Sequence, residues 1–157
     1  MSVLQNKMIV CIMRHGEADS AAERHLSKRG AEQVRTVLRL AEQIGLDVTK
    51  ILSSPLARAV ETAAIAKEVF GLEYTVSNSL EPEGSSEEIQ EELSKFKSDD
   101  VILLVSHQPL VSKFLSDMLG AESKVEFSRG TLAITRGDPA PGGCVLVSLI
   151  SPEVLTS

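Results

Sequence analysis

Residues 8–16 read MIVCIMRHG: six apolar residues, Met8 to Met13, then Arg14, His15 and Gly16. A run this short and this rich in β-formers predicts a strand buried on both faces, as in the middle of a parallel sheet. A second such run, Val101 to Val105 (VILLV), leads directly into Ser106 and His107. The two most apolar strands of the chain are thus each followed at once by a polar step containing a histidine.

The segments between and beyond them alternate in type. Ser27 is placed to cap a helix beginning near Lys28, with Val34, Val37, Leu38, Ala41 and Ile44 at helical spacing and Gly45 at the stop. Lys50 to Leu52 reads as a short strand. Ser54 and Pro55 then suit the cap and first position of a helix through Leu56, Ala59, Val60, Ala63 and Phe70 to Gly71. Tyr74 to Val76 predicts a third short strand. Ser85 with Glu88 forms a capping-box pattern ahead of Ile89, Leu93 and Phe96. Pro109 opens a helix carrying Val111, Phe114, Leu115 and Met118 and stopped at Gly120. Thr131 to Thr135 and Cys144 to Ile150 read as strands joined by the Gly/Pro-rich turn Gly137 to Gly143. Strand–helix four times over, then a strand pair, predicts a three-layer α/β/α fold. Its central sheet should be mostly parallel and end in an antiparallel pair.

Composition narrows the function classes. The chain has 157 residues, 43% hydrophobic and 24% charged, which fits one domain over 1–157 with a real core. Aromatic residues are only 3% and the net charge is −6, so neither stacking platforms nor a global positive field is available for nucleic acid or acidic lipid. Cys11 and Cys144 lie in apolar runs and read as buried small hydrophobes. Two cysteines and three histidines at these spacings match no zinc pattern, so neither metal nor cofactor is expected. No stretch approaches the roughly 20 apolar residues of a membrane span. Met1 to Lys7 is too short and polar for a signal peptide, and a cytoplasmic location is the default expectation.

In open parallel sheets, ligands bind beyond the carboxyl ends of the strands. There this chain places Arg14, His15 and Gly16 after the first strand, Ser53 and Ser54 with Arg58 after the second, and Ser106 with His107 after the fourth. Guanidinium groups bind phosphate oxygens bidentately, and helix N-termini add N–H donors. A histidine with an available ring nitrogen can attack phosphorus, and a second, when protonated, can hold an equatorial oxygen. Gly16 would let the backbone approach the ligand. Taken singly, a histidine after a strand or an arginine on a helix is most often a boundary or solvated residue. Arg58 is less ordinary, because a cation in a first helical turn opposes the macrodipole.

At these residues the chain resembles the histidine phosphatase (phosphoglycerate mutase-like) superfamily, and within it the small SixA-type phosphohistidine phosphatases. IMRHGEAD matches the RHG signature, and Leu26 to Gly30 the following Leu-Ser/Thr element. Ser53 to Ala63 (SSPLARAVETA) matches the second arginine motif, and Val105 to Val111 (VSHQPLV) the second histidine motif. The resemblance implies that His15 is the phosphorylated nucleophile, with Arg14, Arg58 and His107 around the phosphate. It also implies Glu81 as general acid, although a loop carboxylate in an acidic stretch fits that residue nearly as well. Arg24 occupies a position that could flank the substrate, and a solvated loop arginine is the commoner outcome there. His25, where proline is more usual, is given no role.

Fewer than 40 residues separate Ala63 from Val101, which leaves little chain for a lid. An open site suits a phosphorylated side chain on a partner protein, such as a phosphohistidine domain. The expected activity is therefore a phosphatase acting through phosphohistidine. A phosphomonoesterase on sugar phosphates or nucleotide derivatives is the first alternative, and a non-catalytic phosphoprotein-binding module the second.

Overall fold

Two apolar layers are sorted by alternation along the strands. In β1 (Met8–Arg14) Cys11 and Met13 enter one buried cluster, while Val10 and Ile12 enter the other. β4 (Val101–Ser106) divides the same way, Leu103 and Val105 against Ile102 and Leu104. Strands buried on both faces need helices on both faces. The first cluster is covered by α1 (Lys28–Gln43) through Val34, Val37, Leu38 and Ala41, and by α2 (Ala57–Phe70) through Ala59, Ala63 and Ala66. The second is covered by α3 (Ser86–Leu93) through Ile89 and Leu93, and by α4 (Leu110–Leu119) through Leu110, Val111, Phe114, Leu115 and Met118. Each fully buried Leu or Phe contributes about 1.5–3 kcal/mol relative to exposure. This is the computed structural model of the chain, and it describes residues 7–20, 22–122 and 125–155. The expectation about Met1 to Lys7 falls, except for Lys7, outside them.

The remaining strands are β2 (Lys50–Ser53), β3 (Tyr74–Val76), β5 (Leu132–Gly137) and β6 (Cys144–Ile150), and the sheet order is β3-β2-β4-β1-β5-β6. Pairings among β3, β2, β4 and β1 are parallel; β5 is antiparallel to β1, and β6 to β5. The expected three-layer α/β/α architecture with a terminal antiparallel pair is the one observed. A four-residue helix, α5 (Pro152–Leu155), follows. Among the described residues no helix is long and apolar enough to cross a membrane.

Register is what positions the site. Arg14 stands opposite Ser106, and Ser53 opposite Val105. The residues that follow, His15, Ser54 and His107, therefore leave three adjacent strands at one level. Backbone bonds hold them there: His15 N–H donates to the Ser106 carbonyl at 3.0 Å, and Ser54 N–H to that of Val105 at 3.0 Å.

Local details depart from the sequence reading in two places. Ser27 caps α1 as expected, its side chain accepting from Gly30 N–H at 2.9 Å. Ser54 does not cap α2, which starts at Ala57 behind Leu56 with no side-chain cap. Its hydroxyl is committed elsewhere, as described below. The strand expected from Thr131 begins at Leu132 and continues through Gly137, because pairing with β1 extends to Met8.

Candidate active site

The C-terminal edge of the parallel strands gathers Arg14, His15, Arg58 and His107. The imidazoles of His15 and His107 lie 5.1 Å apart, centroid to centroid, with their planes inclined at 55°. Arg58 comes from the first turn of α2, and its Nε–H donates to His15 Nε2 at 3.2 Å. Both histidines are almost fully buried.

Hydrogen bonding fixes the state of His15. Its Nδ1 lies 2.8 Å from the Gly16 carbonyl, which can only accept, so the proton sits on Nδ1 and the Nε2 lone pair faces Arg58. Burial, then the charges of Arg58, Arg14 and Arg24, pull its pKa down to about 4, so the ring is neutral at pH 7. A neutral imidazole whose Nε2 is unprotonated is the form that can attack an electrophile once Arg58 turns its N–H to the incoming group.

His107 is held differently. Its Nε2 is 2.7 Å from Ser54 Oγ, and Ser54 Oγ also accepts from Leu56 N–H at 3.3 Å. When the hydroxyl donates to Nε2, the imidazole proton is on Nδ1. That Nδ1 is buried without a hydrogen-bond partner, and so is Arg14 Nε. Unpaired buried polar groups are costly, and these two, on residues at the same edge of the sheet, mark a place prepared for a hydrogen-bonding guest. Burial, then His15 and the arginines, brings the His107 pKa down to about 3.

Arg14 is steered by the chain that enters β5: its Nη1–H donates to the Phe127 carbonyl at 2.8 Å, and Gly130 N–H bonds back to the carbonyls of Arg14 and His15. Burial, followed by Arg129, Arg24 and Arg58, lowers its pKa. α2 supplies a second kind of support. Thr62, one turn beyond Arg58, accepts from Gly16 N–H at 3.1 Å and donates to the Arg58 carbonyl at 2.8 Å. Glu61 accepts from Leu26 N–H at 2.9 Å and binds His25, tying the loop after β1 to the same helix. His25 is thus an exposed loop residue between Glu23 and Glu61.

The other sequence candidates fall into place less directly. Gly16 meets the fold rather than open space, since a Cβ there would lie 2.7 Å from Val34 Cγ2 and 3.1 Å from the Gly30 carbonyl. Glycine is needed at this position for the close approach of α1. Arg24 is exposed with φ at 48°, yet its charge acts on Arg14, His15, Arg58 and His107. Glu81 follows a 3-10 turn at Asn78–Leu80 that is anchored to the site edge, the Ser106 hydroxyl donating to the Leu80 carbonyl at 2.7 Å. The Glu81 side chain makes no hydrogen bond or ion pair there. Sequence reasoning missed Ser54 as the partner of His107 and Thr62 as the support of Gly16. Thr62 was within reach, four residues from Arg58 on one helix face. The Phe127 carbonyl was not, because a backbone acceptor leaves no trace in side-chain identity.

A cavity of about 540 Å³ lies at the opposite edge of the sheet, between α3 and the β5–β6 turn. It includes none of these four residues. No group of three or more His, Cys, Asp or Glu side chains that could hold a metal occurs among the described residues.

Comparison with known proteins agrees on the family. The family model of the histidine phosphatase superfamily (branch 1) matches residues 10–82. The phosphohistidine phosphatase SixA homolog of Haemophilus influenzae is 30% identical, with 80% of this chain and 86% of that protein covered. Phosphohistidine phosphatase SixA of Escherichia coli is 26% identical, with 87% and 89% covered. Among solved structures, the protein histidine phosphatase SixA complexed with tungstate superposes with a TM-score of 0.84 at 25% identity, covering 95% of this chain and all of that one.

Proposed function

Because the chain belongs to the histidine phosphatase superfamily, we propose that it removes the phosphoryl group from phosphohistidine on a cytoplasmic protein by way of a phosphoenzyme at His15. The observation that carries this reading is the state of His15: a buried neutral imidazole, its Nδ1 proton held by the Gly16 carbonyl and its Nε2 turned to Arg58. The SixA relatives bear the substrate name and cover most of the chain.

In the first step the His15 Nε2 lone pair forms a bond to phosphorus while the substrate's P–N bond breaks in line. The substrate's imidazole, already protonated on its other ring nitrogen from solvent, leaves neutral with the electron pair of that bond. In the second step water attacks phosphorus, the bond to Nε2 breaks, and inorganic phosphate is released. Arg14, Arg58 and the Nδ1–H of His107 hold the equatorial oxygens, where charge gathers in the transition state. Glu81 serves as the proton donor when the leaving group is an oxygen, which needs acid assistance more than imidazole does. Gly16 acts by letting α1 close on the RHG turn, and Arg24 by adding positive charge at the rim.

The test is chemical trapping with turnover. Wild type quenched early should carry acid-labile, base-stable phosphate on His15, and His15→Ala should lose both the label and activity. Phosphate trapped on a serine or aspartate would overturn the mechanism. Faster turnover of small phosphomonoesters than of a phosphohistidine protein would overturn the substrate and favour a small-molecule phosphomonoesterase. Binding of phosphoprotein without any turnover would indicate a recognition module.

A further inference from the structure

Next to Arg14 a cleft of about 340 Å³ is lined by Arg14, Glu17, Arg29, Gln33, Ser128 and Arg129, with Glu153 from α5. Arg14 belongs to both the phosphoryl pocket and this cleft. Arg129 follows the Phe127 carbonyl that holds Arg14, and among charges it has the largest effect on Arg14.

Neither Arg29 nor Arg129 forms an ion pair with any described carboxylate. The chain has 22 acidic residues against 16 basic ones, so partners are plentiful. Among the described Lys and Arg side chains only Arg35, with Glu68, and Lys67, with Glu73, form ion pairs; what sets Arg29 and Arg129 apart is that they share one cleft with Arg14. Arg29 also sits in the first turn of α1, where the macrodipole disfavours a cation, and no acidic residue shares that turn. α2 and α4 likewise begin without an acidic residue, whereas α3 carries Glu87 and Glu88. Arg29 and Arg129 are exposed, and with Arg14 they bring three guanidiniums to one cleft beside the phosphoryl pocket, a set suited to an anion supplied from outside.

We propose that this cleft is a subsite for a carboxylate carried by the substrate close to its scissile phosphoryl group, bound by Arg29 and Arg129. The proposal rests on the phosphatase reading and names what the substrate must offer. Glu17 and Glu153 set the preference. With Arg14 turned to the phosphoryl group, these two carboxylates face Arg29 and Arg129, a balance that suits a monoanionic carboxylate better than a second phosphate. Glu17 itself is engaged by the Ser27 hydroxyl at 3.0 Å. On a protein substrate the carboxylate would be an Asp or Glu side chain neighbouring the phosphohistidine.

The experiment compares phosphohistidine peptides flanked by Glu or by Gln, with wild type and the Arg29→Gln/Arg129→Gln double variant. Wild type should favour the acidic peptide in kcat/KM by about tenfold, a preference that weakens with added salt. In the double variant it should shrink to within twofold, with p-nitrophenyl phosphate losing at least fivefold less than the acidic peptide. No preference in wild type, a preference that survives the substitutions, or equal loss on all substrates would overturn the subsite. If wild type hydrolyses neither peptide, the phosphohistidine reading fails, and inhibition by phosphoglycolate against ethyl phosphate decides the subsite separately. At least fivefold tighter inhibition by phosphoglycolate, lost in the double variant, supports it with a small carboxylate-bearing substrate. Equal inhibition rejects it.

Discussion

The two edges of the sheet are built from the same strands and differ in almost every physical respect. At the C-terminal edge the side chains are polar, buried and partly unpaired: His107 Nδ1 and Arg14 Nε lack partners, and Ser54 is spent on positioning an imidazole. The opposite edge holds the cavity of about 540 Å³, lined by Phe96, Pro139 and Ala140 together with Glu91 and Gln90, whose Nε2 is also buried without a partner, but by no histidine or arginine. The size of a hollow therefore does not locate the chemistry in this fold. What locates it is the convergence of two imidazoles and the guanidiniums of Arg14 and Arg58 at the end where parallel strands stop and helices begin.

The contrast can be broken most severely at Arg58. Arg58→Ala should lower kcat/KM on p-nitrophenyl phosphate by about 100- to 1,000-fold, the usual loss for a group that stabilises a transition-state oxygen. Steady-state kinetics with a folding control by circular dichroism would check this. A loss under tenfold would mean that His15 and Arg14 suffice.

Acid should weaken the polar edge next. His15 and His107 have folded pKa values of about 4 and 3, depressed from 6.5. Below pH 6.5 the unfolded chain takes up protons that the folded chain refuses. Stability is then complete above that pH and falls, by about 1.4 kcal/mol per pH unit per histidine, until each folded pKa is passed. Urea midpoints from pH 7 to 4 should show this slope, and His15→Asn should flatten it. An unchanged slope in His15→Asn would mean that the ring is not held neutral.

A smaller effect is expected at Ser54. Ser54→Ala should lower kcat about tenfold with little change in KM, and Ser54→Thr should restore most of it. Nitrogen NMR should show the His107 proton on Nδ1 in wild type and a tautomer mixture in Ser54→Ala. A single unchanged tautomer would remove Ser54 from the positioning role. Smallest of all, Ala140→Trp, which fills the opposite cavity, should leave kcat/KM within twofold. A larger loss would couple the two edges.

Much of this was legible in advance because it depends on local rules. The double burial of Met8–Met13 and Val101–Val105, the helical spacing of Val34 to Ala41, and Ser27 as a cap are all consequences of side-chain period and backbone propensity. The same rules misread Ser54. A serine before a proline looks like a helix cap, and nothing nearby in sequence shows that His107, 53 positions away, competes for the same hydroxyl. Gly16 shows the same limit, since the crowding that excludes a Cβ there comes from Val34 and Gly30, which lie well along the chain.

By itself the sequence determined which segments are strands, which residues carry charge or a titratable nitrogen, and that the polar steps follow the buried strands. Only the tertiary structure decided that Arg14 lies level with Ser106 and Ser53 with Val105. It also decided that Phe127 offers a carbonyl to Arg14 and that the two imidazoles face one another. Strand order and register arise from packing both helical layers at once, and no single segment encodes that sum.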